Sequence, residues 1–173
     1  MDFEQLARER FSVRSFDTSR EVSIDQIDKI LKAALAAPTA VNFQPFHIWV
    51  FTEERDMARV CESNGFAFAR DAKVIFVIGS DKRRSWKRKY DGKDFANVDA
   101  AIVSTHMLLQ IADLGLGTTW IGHFDPEVLK AYFPQMREYD LDCILPVGYP
   151  SADCRPSDKH QATRSREELV SFD

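Results

Sequence analysis

Apolar positions along this chain alternate between helical repeats and short dense runs, and that pattern predicts the elements. Phe3 to Glu9 reads as a short helix with Phe3, Leu6 and Ala7 on one face, and Arg10 to Phe16 then runs extended. Ser23-Ile24-Asp25-Gln26 has the form of a capping box, in which hydroxyl and amide satisfy the free N–H groups of a helix start. Ile24, Ile27, Leu31 and Leu35 follow at helical spacing until Pro38 stops the helix. Phe46 to Thr52, dense in β-branched and aromatic residues, predicts a strand, and Arg55 to Asn64 a helix. Val74 to Ile78 is a continuous apolar run, as expected of a central strand covered on both faces. Asp81 to Asp94 is polar and reads as a loop. Asn97 to Asp113 is the longest helix and apolar on both faces, hence a buried central helix ended by Gly115 and Gly117. Thr118 to Ile121 and Cys143 to Val147 predict two more strands. Between them Asp125-Pro126-Glu127 opens a helix with a capping carboxylate and a proline at its first position. Ser165 with Glu168 repeats the capping-box pattern near the end. Without a repeat, low-complexity segment or linker, residues 1–173 are expected to form one domain.

Composition narrows the function classes. The net charge of -4 over 173 residues argues against a general nucleic-acid binder. No apolar run approaches the roughly 20 residues needed to span a bilayer, so no membrane association is expected. Met1-Asp2-Phe3-Glu4 lacks the basic-then-apolar form of a signal peptide. Cys61, Cys143 and Cys154 are odd in number and share no C-x-x-C spacing. Packing rather than redox chemistry is expected of them, and a cytoplasmic setting follows.

Candidate chemistry begins with Arg10, Ser12 and Arg14. In an extended segment alternate residues share a face, so two guanidinium groups and a hydroxyl point one way, with Phe11, Val13 and Ser15 opposite. Such a set suits a phosphate monoester, each charge-assisted bond contributing roughly 1.5–3 kcal/mol. Spacing alone leaves open a solvated strand edge with two surface arginines.

Five ordered segments together resemble the nitroreductase family. They are Arg10-Phe11-Ser12-Val13-Arg14-Ser15-Phe16; Ala36 through Pro45; Asp99 through Gln110 flowing into Leu114-Gly115-Leu116-Gly117-Thr118-Thr119-Trp120-Ile121-Gly122; Leu145 through Pro150; and Arg164 through Val170. The resemblance implies an α+β, three-layer α/β/α sandwich around a mixed, mainly antiparallel sheet, with terminal segments exchanged in a homodimer and the flavin site at the interface. It implies FMN as cofactor and NADH or NADPH as electron donor. The segment Arg10, Phe11, Ser12, Val13 and Arg14 would grip FMN, with Arg10, Ser12 and Arg14 on its phosphate and ribityl chain. The loop Pro38, Thr39, Ala40, with Asn42 and Gln44, would cover flavin across the interface. Trp120, Ile121, Gly122 and His123 would bring a backbone N–H near flavin N5, where glycine lets the main chain come close. Arg164 resembles a further phosphate ligand, with Arg166 the alternative. Asn64 is a candidate for a mid-chain contact that some members make.

The implied activity is electron transfer from NAD(P)H to a small acceptor such as a nitroaromatic or quinone, by a ping-pong mechanism. The alternatives are specialised flavin chemistry on a bound ring (dehalogenation or oxidation) and non-catalytic FMN binding. Because the chemistry resides in the cofactor, no catalytic side chain is expected. Other motifs weigh less. Gly115-Leu116-Gly117 follows a helix and lacks a third glycine, so it is no dinucleotide fingerprint. Lys82 to Lys89 is a basic block that reads as a solvated loop, a steering patch for NAD(P)H phosphates, or a nucleic-acid contact. His47, His106, His123 and Glu127 are too scattered for a metal site. His106 reads as a satisfied core histidine, whereas His123 lies beside the suspected flavin strand.

Overall fold

A computed structural model describes residues 2–172. Among the described residues there are six helices: α1 (Phe3–Glu9), α2 (Ile24–Leu35), α3 (Glu54–Glu62), α4 (Ala96–Asp113), α5 (Pro126–Tyr132) and α6 (Arg166–Leu169). Four strands accompany them: β1 (Phe46–Phe51), β2 (Val74–Ser80), β3 (Gly117–Thr118) and β4 (Asp140–Gly148). Single 3-10 turns at Ala40–Asn42, Ala67–Asp71 and Pro134–Met136 fill gaps that hydrophobic periodicity does not register. The helix starts follow the sequence closely. Ser23 and Ser165 both close complete capping boxes, and the Asp125 carboxylate accepts from the Glu127 N–H ahead of α5.

The sheet runs in the order β1-β2-β4-β3 with every named pairing antiparallel. A parallel bridge from Ser12 to Thr118 adds the mixed character. Alternation across the pleat divides the core in two. Val74, Phe76 and Ile78 of β2, with Cys143, Leu145 and Val147 of β4, face α2 and α4. Ile75, Val77 and Ile144 face the opposite layer, where Val60 of α3 and Leu129 of α5 pack. The result is the three-layer α+β sandwich, with β2 buried along its whole length.

The Thr118–Ile121 strand is shorter than its sequence suggests. β3 stops at Thr118, and pairing resumes only at Ile121, which exchanges both backbone hydrogen bonds with Ile144 at 3.0 Å. Residues two apart present their N–H groups to the same neighbour. Pro146, two beyond Ile144, therefore faces Thr119 without an N–H to donate. The ladder opens there, and Thr119 and Trp120 are freed from it.

The N-terminal segment is fixed by what it crosses. The Val13 N–H donates to the Thr118 carbonyl at 2.9 Å, and the Asp17 N–H to the Tyr149 carbonyl at 2.8 Å. Val13 and Phe16 are buried, so the spacing is three residues rather than strict alternation, and Ser15 turns out to solvent.

Candidate functional site

The segment from Arg10 to Arg14 leaves α1 and passes along the edge of β3. Arg10, Phe11, Ser12 and Arg14 line a cleft of about 200 Å³ together with Ser157, Lys159 and His160. The far wall is held by His160, whose Nε2 lies 3.0 Å from the Arg8 carbonyl oxygen and whose ring meets Phe11 edge-on at 6.1 Å. Sequence reasoning found the arginines and Ser12 but missed Ser157, Lys159 and His160. Their only signal was a short polar stretch after Pro156, about 145 residues from the segment they face. Val13 is the exception within the predicted set: it is buried beneath the cleft and seats the segment.

Arg14 also lines a second cleft, of about 350 Å³, with Phe66, Phe68, Thr119, Trp120, Ile121, Gly122 and His123. The break in the β3–β4 ladder gives this cleft its floor. Phe66 and Phe68 stack at 5.5 Å with planes 26° apart, and His123 leans on Phe66 at 6.2 Å. Trp120 forms a wall and remains about a third open to solvent. Asn64 does not reach either cleft. Its side chain donates to the Val60 carbonyl and accepts from the Phe66 N–H at 2.9 Å, which turns Phe66 toward the opening.

The loop at Pro38–Gln44 lies elsewhere. Val41, Asn42 and Gln44 have φ of 49°, 57° and 50°, left-handed conformations that side-chain-bearing residues pay roughly 1–2 kcal/mol each to adopt. Strain of this kind concentrates at functional segments. The Ala40 N–H donates to Asp99 in the first turn of α4, whereas Thr118 follows that helix's other end. Asp99 to Asp113 spans about 20 Å at the usual helical rise. Within one chain, therefore, Thr39, Ala40, Asn42 and Gln44 do not meet the Arg10–Arg14 cleft. Arg164 and Arg166 do not meet it either: both are exposed and line neither cleft, and the Arg166 guanidinium lies 5.3 Å from the Phe172 ring.

One expectation needs correction. His106 is not enclosed in the core. It is half-buried on an open apolar groove of about 690 Å³, lined also by Phe3, Leu6, Val98, Ala101, Ile102 and Leu109. The helix α4 thus buries one face against the sheet and leaves the other facing this groove. The basic block 82–89 lies largely exposed, as a solvated loop does, and most of its cations have acidic neighbours. Arg83 donates to Asp81 and Glu138, Lys82 pairs with Asp140, Lys87 lies 3.8 Å from Asp94, and Arg88 pairs with Asp91. None of these residues lines either cleft. Among the described residues no cluster of His, Cys, Asp and Glu is arranged to hold a metal ion, and no helix is long and apolar enough to cross a membrane.

Comparison with known proteins agrees with this fold. The family model described as "Nitroreductase family" matches residues 7–64 and 61–149. A relative from Methanothermobacter thermautotrophicus, provisionally named as an NADH dehydrogenase/NAD(P)H nitroreductase, is 31% identical over 87% of this chain and 78% of its own. The crystal structure of a nitroreductase family protein from Clostridium difficile 630 superposes with a TM-score of 0.89 at 32% identity, covering 99% of this chain and 98% of that one. An FMN-dependent nitroreductase from Clostridium difficile R20291 has the same fold, with a TM-score of 0.80 at 24% identity over 98% of both chains. The family match and the relatives named as NAD(P)H nitroreductases make this chain an oxidoreductase, and it belongs to the nitroreductase family.

Proposed function

We propose that this chain binds FMN across its two adjoining clefts and passes electrons from NADH or NADPH to a small planar acceptor such as a nitroaromatic or quinone. The observation that carries this reading is the double role of Arg14, which lines both the cationic cleft and the aromatic one. The donor set fits the cofactor. Arg10, Arg14, Lys159 and the hydroxyls of Ser12 and Ser157 suit a phosphate and ribityl chain, and the flat-walled cleft at Thr119–His123 suits a ring. Thr118, bridged to Ser12, has a buried Oγ1 without a partner among the described residues. Bound FMN would supply the two-electron chemistry. The chain's own residues bind and orient it, and Phe66, Phe68 and Trp120 would bound the open face on which donor and acceptor alternate. That alternation implies ping-pong kinetics, with parallel initial-velocity lines.

A homodimer completes the site in this reading. The strained loop and the arginine cleft lie at opposite ends of α4, and the apolar groove on that helix is suited to a second copy. A two-fold pairing there would carry the loop, and the exposed arginines Arg164 and Arg166, toward the other copy's cleft. The decisive experiment is anaerobic spectroscopy of the purified protein with added FMN. A bound flavin spectrum that bleaches with NADH or NADPH and recovers on adding a nitroaromatic is expected. Failure to bind FMN overturns the reading, and bound FMN that stays oxidised with both nucleotides leaves a non-catalytic flavin protein.

A further inference from the structure

We propose that Asp99 is a positioning residue, holding the Thr39–Gln44 loop in the conformation in which it meets the flavin. The inference rests on the flavin reading above and adds to it a residue outside both clefts.

Beside the loop's own backbone hydrogen bonds, from Asn42 to Thr39 and from Phe43 to Ala40, two side-chain tethers hold it. Asp99 Oδ1 accepts from the Ala40 N–H at 2.9 Å, and Thr39 Oγ1 accepts from the Gln44 N–H at 3.1 Å. Between the tethered residues lie Val41 and Asn42, which with Gln44 are the chain's three non-glycine residues at positive φ among those described. The loop is otherwise open to solvent, with Val41 and Phe43 well exposed, so little packing opposes its relaxation. Asp99 itself cannot follow the loop. It is 1% exposed, on the buried face of α4 between Ala96 and Val103.

The carboxylate is poorly explained by stability alone. Its Oδ2 is buried without a partner among the described residues, a cost that an apolar side chain at this position would avoid. A negative charge in the first turn does interact favourably with the helix N-terminus. That effect needs no bond outside the helix, whereas Oδ1 is committed to one. The groove residues Val98 and Ile102 flank Asp99 on the same helix, so one rigid element links the surface offered to a second copy with the loop offered to that copy's cleft.

The test measures FMN affinity, the visible circular dichroism of bound FMN, and hydrogen-exchange protection over residues 39–44. It compares wild type with Asp99→Asn, Asp99→Ala and Thr39→Val. Asparagine keeps the acceptor and removes the charge, so Asp99→Asn should stay within about threefold of wild type with an unchanged flavin spectrum. Asp99→Ala should deprotect the loop, alter the spectrum and weaken FMN binding by about tenfold. Thr39→Val does not enter the core, and it should also deprotect the loop and weaken binding if Asp99→Ala fails to fold. The proposal is overturned if Asp99→Ala, or Thr39→Val in its place, keeps wild-type affinity and protection, or if Asp99→Asn is as impaired as the alanine variant. A wild-type protein that binds no FMN instead removes the flavin reading itself.

Discussion

Val13 occupies the space that a side chain on Gly117 would need: a Cβ built there would lie 2.6 Å from one Val13 methyl and 2.8 Å from the Val13 Cβ. Because the nearest atoms include the Cβ itself, no rotamer change relieves the clash. Gly117→Ala should therefore push the N-terminal segment off the edge of β3. Destabilisation of about 1–3 kcal/mol is expected, as for other overpacked sites. Ser12 and Arg14 flank Val13 in sequence, so FMN affinity should fall with it. Thermal unfolding beside a flavin titration checks this, and a variant as stable as wild type would mean that the segment is not seated where Val13 places it.

The two arginines should differ in what their loss does. Arg10→Ala removes a cation from the phosphate-sized cleft and leaves the lining of the aromatic cleft intact. Arg14→Ala also removes a wall of the aromatic cleft. Each should weaken FMN binding by about tenfold, following the loss of one charged hydrogen bond. Only Arg14→Ala should also change the absorption or dichroism of the flavin that remains bound. Wild-type affinity in the double variant would remove the clamp.

What the sequence makes legible follows from how local each signal is. Capping at Ser23, Asp125 and Ser165 depends on residues three or fewer apart, and all three caps are present. The long apolar repeat of α4 and the unbroken run of β2 likewise announce themselves, and together they set the sandwich. Arg10, Ser12 and Arg14 were visible as a set because an extended segment places them together. The shortness of β3 was hidden because its cause, Pro146, lies on the partner strand. Phe66, Phe68, Lys159 and His160 were invisible for a related reason: only the folded chain brings their loops to the segment at Arg10–Arg14. His106 misled because apolar neighbours on a helix look the same whether a face is covered by its own chain or left as a groove.

Stability should respond to acid through Asp81. Arg83 donates to both of its carboxylate oxygens, at 2.8 and 2.9 Å, and this hydrogen bonding holds the carboxyl below its ordinary value of 3.8. A depressed native value means that the folded state binds the proton less readily than the unfolded chain. The stabilisation is thus present above the ordinary carboxylate range and is lost as pH falls through 3.8 and toward the lower native value. Arg83→Met should lower Tm by a few degrees at pH 7, with the gap to wild type closing below about pH 4. A gap of equal size at both pH values would assign the effect to lost packing instead.

Gly122 supplies the counterpart to Gly117. A Cβ built at Gly122 meets nothing nearer than the Trp120 indole nitrogen at 3.6 Å, an ordinary contact, and its backbone is not in the left-handed region. The fold therefore does not require glycine there, and any requirement must come from what enters the cleft it lines. Gly122→Ala should unfold at the wild-type temperature. If the main chain at Gly122 approaches the flavin ring, however, the added methyl should weaken FMN binding by about tenfold or slow reduction by NAD(P)H to a similar degree. Gly117→Ala would then lose stability and affinity together, and Gly122→Ala would lose function alone. Equal FMN affinity and equal reduction rates in Gly122→Ala and wild type would place the ring away from this strand, even if the arginine cleft still held the phosphate.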